Sequence, residues 1–205
     1  ALFVTAIAAF AAFRTLAPSI TPIGAAGLSL GELTAFTIAD VLRFSDALYL
    51  VQARAEAMAE CAARHQGAML AVIGLGQESI QDICRQSGVV AANFNAADQV
   101  VLSGEVPAIQ RAEELAKAKG AKRAVRLDVA GAFHSPLMQP AAATFREALA
   151  KVTLAAPKFP VLSNVTGQPV RTPEEIRELL VKQIVSPVQW ELSMKRLIQD
   201  GAKVF

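Results

Sequence analysis

The chain has 205 residues, with 20 Lys and Arg against 18 Asp and Glu for a formal net charge of +2. That length suits one domain, or one domain carrying a smaller insertion. With 53% hydrophobic and 19% charged residues, it can bury enough apolar surface to offset chain entropy, which excludes disorder. The small net charge argues against a general nucleic-acid binder, whose affinity would come from phosphate neutralisation.

Mean hydropathy is +0.38, but the longest apolar stretch, Ala1 to Phe13, is too short to span a bilayer. It also lacks the basic start and cleavage site of a signal peptide, so a soluble protein without membrane contact is expected. The first segment, Ala1 to Leu16, is Ala-rich and stops before Pro18, which predicts a buried helix. Ile20 to Ala26, broken by Pro22 and Gly24, reads as a brief strand running into Gly27, and Glu32 to Ala39 as a helix. Ser45 is a candidate N-cap for a long helix to about Arg64. There Leu48, Val51, Ala55, Met58 and Cys61 make one apolar arc at helical spacing.

A different rhythm follows. Strands are predicted at Ala68–Leu75, Val89–Asn93, Val100–Ser103 and Ala124–Val129, with helices at Glu78–Arg85 and Pro107–Lys119. This β-α-β-β-α-β order is that of a ferredoxin-like unit, placed at residues 67–128. Beyond it come a helix at Met138–Leu149, a strand at Val161–Asn164, and helices at Pro173–Val185 and Gln189–Asp200. The expected fold is α/β: a hydrolase-like α/β body formed by residues 1–66 and 129–205, with an inserted ferredoxin-like α+β subdomain. The chain starts at Ala1 without a Met, and Ala202 to Phe205 reads as a strand cut short, so a piece of a longer protein is expected.

Two cysteines, Cys61 and Cys84, and two histidines, His65 and His134, offer no metal-ligand spacing, so no metal is expected. The cysteines read as small core residues in a reducing compartment. Gly27-Leu28-Ser29-Leu30-Gly31 is a G-x-S-x-G nucleophile elbow where a strand should turn into a helix. The sharp turn lifts a serine hydroxyl clear of the chain and calls for small residues at both flanks. The helix that follows points N–H dipoles at a developing oxyanion. Such a serine needs a base. His134 follows the last strand of the insertion and is the better candidate. His65, in Arg64-His65-Gln66, reads as a solvated residue.

Arg54 falls inside the apolar arc of its helix, and a guanidinium facing a core needs a partner. That partner is either a structural carboxylate or a ligand carboxylate gripped bidentately. Lys117, Lys119, Lys122, Arg123 and Arg126 put five positive charges together with no acid until Asp128. The run reads as a solvated face, or as a surface that steers an acidic partner.

Five motifs then occur in order: Gly27-Leu28-Ser29-Leu30-Gly31-Glu32, Arg54-Ala55-Glu56-Ala57-Met58, Asn93-Phe94-Asn95, Gly131-Ala132-Phe133-His134-Ser135 and Ser186-Pro187-Val188-Gln189-Trp190. Together they resemble the malonyl-CoA:acyl-carrier-protein transacylases of fatty-acid biosynthesis, over essentially the whole chain. The resemblance implies that Ser29 is the nucleophile, His134 its base, and Arg54 the clamp for the free malonyl carboxylate. It further implies that the backbone carbonyl of Gln183 orients His134, that the Leu30 N–H is an oxyanion donor, and that Phe133 and Leu28 line the substrate pocket. The implied substrate is malonyl-CoA with no permanently bound cofactor. The implied partner is acyl carrier protein, and the implied location is cytoplasmic, or a plastid in a eukaryote. Two family segments are absent: an N-terminal Gly-Gln-Gly, whose Gln N–H is the second oxyanion donor, and a Gly-Pro-Gly near the C-terminus.

Two rival expectations differ in class. A serine esterase or hydrolase would need an acid between Ser29 and His134, with Asp128 the nearest candidate. A non-catalytic acyl-carrier docking fragment would keep the elbow without using it.

Overall fold

In the computed structural model, which describes residues 1–205, the element order is α1 (Leu2–Leu16), α2 (Leu30–Ile38), α3 (Phe44–Arg64), β1 (Gly67–Ile73), α4 (Gln77–Ser87), β2 (Val90–Ala96), β3 (Gln99–Glu105), α5 (Val106–Ala118), β4 (Arg123–Arg126), α6 (Gln139–Leu149), β5 (Val161–Leu162), β6 (Pro169–Val170), α7 (Pro173–Gln183) and α8 (Trp190–Gln199). A single 3-10 turn, Pro136–Met138, precedes α6.

β1 to β4 form an antiparallel sheet in the order β2-β3-β1-β4. The outer strands are the second and fourth, so the β-α-β-β-α-β chain order closes as a ferredoxin-like unit. Side chains alternate across the pleat. Leu70, Val72, Val100 and Leu102 face α4 and α5, where they pack with Ile80, Ile83, Ile109 and Ala112. Met69, Ala92 and Val101 face the other way and pack with Phe133. The larger core draws on α2, α3, α6 and α7 through residues such as Phe36, Leu50, Phe145 and Ile176. The two units are stitched near Val188, whose N–H donates to Ala92 O at 2.8 Å while its carbonyl accepts from Phe94 N at 2.9 Å.

Local chemistry accounts for several boundaries. α7 starts where Thr172 accepts the Glu175 N–H at 3.2 Å and Glu175 reaches back to the Arg171 N–H at 3.0 Å, with Pro173 in the first turn. α4 ends on Gly88 in the left-handed region, at φ 80°.

Five expectations need correction. α1 is helical but not buried: only Phe3 of its residues is buried, and Leu2 and Leu16 are largely exposed. Apolar composition tells what a helix is able to bury, whereas burial needs neighbours on more than one side. Ile20 to Ala26 is no strand. It contributes one parallel bridge, Ala25 to Val161, where Pro22 and Gly24 prevent a longer ladder. Ser45 is not an N-cap, because α3 already begins at Phe44, whose ring stacks on Phe3 at 5.7 Å between centroids. The buried stripe of α3 is Ala47, Leu50, Arg54, Ala57, Met58 and Cys61, which leaves Leu48 and Ala55 facing out. Residues 202–205 form no strand. No helix is long and apolar enough to cross a membrane.

Candidate active site

The Gly27–Gly31 segment is the elbow. Ser29 sits at φ 53° and ψ −105°, a sparsely populated conformation for a residue with a Cβ, immediately before α2. Such strain persists only where surrounding bonds over-determine it, and here they do. Asn164, just after β5, accepts the Ser29 N–H through Oδ1 at 2.6 Å and donates from Nδ2 to Gly27 O at 2.8 Å. A Cβ on Gly27 would lie 1.9 Å from Gly31 O, so that flank must be glycine. The other flank is different: a Cβ on Gly31 would meet nothing within 4 Å, so small size is required on one side only. The Leu30 N–H, first in α2 and one residue after Ser29, donates to no protein acceptor.

His134 lies in the loop between β4 and the 3-10 turn, itself at φ 55°. Its Nδ1–H donates to Gln183 O at 2.8 Å, which leaves Nε2 without a proton and 2.8 Å from Ser29 Oγ. The ring is buried. Burial lowers its pKa to about 4, aided by the Arg54 charge and opposed by the Gln183 hydrogen bond. The imidazole is thus neutral at pH 7 and able to take the Ser29 proton. The sign of the pH dependence follows. Depression below the usual 6.5 means that the neutral ring's contribution to stability is complete above that value and lost as pH falls through about 4. Labelling of Ser29 by a serine-directed fluorophosphonate is expected to stay level down to about pH 5 and to halve near pH 4. A midpoint near 6.5 would show a solvated imidazole instead.

Arg54 is only 7% exposed. Its Nη2 donates to Ser29 Oγ at 2.8 Å and to Gln183 Oε1 at 2.9 Å, while Nη1 and Nε make no protein hydrogen bond. Burial lowers its pKa to about 10, which keeps it cationic at neutral pH. A cation with two free donor nitrogens beside a serine hydroxyl is suited to hold an anion there.

Sequence reasoning missed two residues and half of a third. Glu32 is fully buried and accepts the Asn164 N–H at 2.9 Å and Gln183 Nε2 at 2.6 Å. Burial raises its pKa to about 7, while those donors and Arg54 pull the other way. Asn164 clamps the elbow as described. Gln183 contributes its side chain as well as its backbone, since Nε2 also donates to Ser29 O at 2.9 Å. An acid among Leu30, Leu33 and Phe36 was a legible signal for Glu32, of the same kind that marks Arg54. Nothing in the sequence singles out Asn164.

Of the other candidates, Phe133 is partly buried between the two cores and Leu28 is 40% exposed beside Ser29. His65 is exposed at the end of α3. Asp128 is exposed and makes no hydrogen bond to His134, whose Nδ1 is taken by a carbonyl. Cys61 and Cys84 are free thiols. The basic run is less bare than its sequence implies. Lys117 and Arg126 both pair with Glu113, and Lys119 pairs with Asp82, acids that α5 and α4 bring from elsewhere. Lys122 and Arg123 have no ion pair.

The family model described as acyl transferase domain matches residues 1–205. The chain belongs to the acyl transferase domain family. It is 40% identical over 210 residues to the malonyl CoA-acyl carrier protein transacylase of Bacillus subtilis, covering 100% of this chain and 66% of that protein. The protein of the same name from Haemophilus influenzae is 38% identical, with 100% and 67% covered. The chain therefore spans about two thirds of the length of these relatives. Among solved acyl transferases, the malonyl CoA-acyl carrier protein transacylase of Coxiella burnetii superposes with a TM-score of 0.95 at 39% identity, over 100% of this chain and 66% of that one. A malonyl-transacylase in complex with a type II PKS acyl-carrier protein superposes with a TM-score of 0.94 at 36% identity, over 98% and 66%.

Proposed function

We propose that this acyl transferase moves a malonyl group from malonyl-CoA to the phosphopantetheine thiol of acyl carrier protein, as an [acyl-carrier-protein] S-malonyltransferase of fatty-acid biosynthesis. The observation that carries the reading is the single hydroxyl shared by a neutral imidazole and a buried guanidinium, each at 2.8 Å. A hydrolase needs the first of these. Only a site for an acid-bearing acyl group needs the second.

Ser29 Oγ gives its proton to His134 Nε2 and attacks the malonyl thioester carbon, and the oxyanion rests against the Leu30 N–H. Collapse breaks the carbon–sulfur bond, and the imidazolium returns its proton to the coenzyme A thiolate. A malonyl-serine ester remains. The carrier thiol then gives its proton to His134, attacks the ester and leaves as malonyl thioester, while Ser29 regains its proton. The Gln183 carbonyl keeps the correct tautomer of His134 throughout. Arg54 holds the distal carboxylate, and Phe133 and Leu28 border the acyl pocket. In this reading residues 1–66 and 129–205 are the catalytic body and residues 67–128 the inserted subdomain. Acyl carrier protein, an acidic partner, docks along the Lys117, Lys119, Lys122, Arg123 and Arg126 face. Lys122 and Arg123 carry the main attraction because no acid of this chain neutralises them.

Incubation with malonyl-CoA followed by intact-protein mass spectrometry tests the reading. A covalent malonyl adduct that disappears on addition of holo carrier protein is expected. Release of free malonate alone would mark a hydrolase, and no adduct would mark a docking fragment. The Asp128→Asn variant should transfer malonyl within about twofold of wild type, since that side chain is exposed and away from His134. A loss of roughly 10⁴-fold would restore the Ser-acid-His hydrolase reading.

A further inference from the structure

Behind the reacting groups lies a buried acid with no role in proton transfer. Glu32 does not touch Ser29 Oγ or His134. It touches the two residues that hold them, accepting the Asn164 backbone N–H through Oε1 and the Gln183 side-chain Nε2 through Oε2. The Gln183 side chain has one acceptor atom and one doubly donating nitrogen. Its nitrogen faces two acceptors, Ser29 O at 2.9 Å and Glu32 Oε2 at 2.6 Å. Its oxygen is therefore turned to the Arg54 Nη2, at 2.9 Å.

We propose that Glu32 is a positioning residue for malonyl selection: its Oε2, which accepts from Gln183 Nε2, fixes which way the Gln183 amide faces, and the amide oxygen so presented aims the Arg54 guanidinium. The inference rests on the malonyl-transfer reading given above. Glu32 and Arg54 attract through space but share no hydrogen bond or salt-bridge contact, and the chain of contacts between them runs through Gln183.

Isosteric replacement exposes the logic. In Glu32→Gln the new amide must still offer its oxygen to the Asn164 N–H, so its NH₂ is turned to Gln183 Nε2. Donor then meets donor. Gln183 flips, its NH₂ faces the guanidinium, and its oxygen is set against Ser29 O. Arg54 loses an acceptor and gains a repelling donor, and its aim at the acyl carboxylate goes with it. A buried hydrogen bond to a charged group is the kind whose loss is costly. An uncharged acyl group makes no use of Arg54 as a clamp and serves as the internal control for fold and elbow.

The experiment measures initial rates of Ser29 acylation by malonyl-CoA and by acetyl-CoA in wild type, Glu32→Gln, Gln183→Met and the double variant. Gln183→Met keeps the backbone carbonyl that holds His134, and it supplies the same test should Glu32→Gln fold poorly. The malonyl-to-acetyl rate ratio is expected to fall by roughly tenfold or more in each single variant. The double variant should fall no further, because both substitutions break one relay. Equal slowing of both acyl groups, or additive losses in the double variant, would overturn the relay while leaving a malonyl-selective wild type intact. A wild type that accepts acetyl but shows no preference for malonyl would instead sink the malonyl reading itself, and the relay with it.

Discussion

Substituting Ser29 by alanine should abolish the covalent adduct formed with malonyl-CoA and lower transfer to carrier protein by about 10⁴-fold or more. The size follows from what is removed. Without Oγ there is no atom to carry the acyl group, and His134 Nε2 and Arg54 Nη2 each lose a partner at 2.8 Å. The remaining rate would come from binding and from the Leu30 N–H alone. Stability should change little, because alanine keeps the Cβ and the backbone bonds from Ser29 N and O to Asn164 and Gln183 persist. Circular dichroism and thermal melts alongside mass spectrometry would separate the two effects. An undiminished adduct in Ser29→Ala would place the nucleophile elsewhere.

Arg54→Ala should cut malonyl loading by roughly 30- to 1000-fold, equivalent to about 2–4 kcal/mol, the usual cost of deleting one partner of a buried charge pair. Acetyl loading should fall far less, and relative preference should shift towards the uncharged acyl group. Some loss for both substrates is built in, because the same guanidinium nitrogen donates to Ser29 Oγ. The ratio of the two rates is therefore the informative quantity, measured as kcat/KM for each thioester. Identical losses for malonyl and acetyl would show that Arg54 only supports the nucleophile. A second consequence concerns Glu32. Burial already raises its pKa to about 7 against the pull of Arg54, so removing the cation should raise it further and leave the acid protonated at neutral pH.

The elements were mostly legible because their signals are local. Period-2 and period-3.6 patterns located β1 to β4 and the helices between them, and Pro173 with Glu174 and Glu175 marked the start of α7. The misreadings share a cause. Helix α1 has the composition of a buried segment without the cover, and Ser45 has the chemistry of a cap, although Phe44 pairs with Phe3 one residue earlier. Both outcomes depend on distant chain. The basic run is partly alike: Asp82 reaches Lys119 from α4, whereas Glu113 lies one helical turn before Lys117 on α5 and also meets Arg126.

For the candidate site the division is equally physical. The sequence alone determined that a serine would stand on a tight turn, that one of two histidines would lie at a strand-to-loop junction, and that an arginine would face inward from a long helix. Each is a property of a few consecutive residues. The tertiary structure alone decided that all three meet at one hydroxyl, that Asn164 and Gln183 lock the strained elbow from both sides, and that Glu32 accepts from both residues, the Asn164 backbone N–H and the Gln183 side chain. These contacts join residues 25 to 154 positions apart, and side-chain amides and carboxylates acquire a direction only when folding brings donor opposite acceptor.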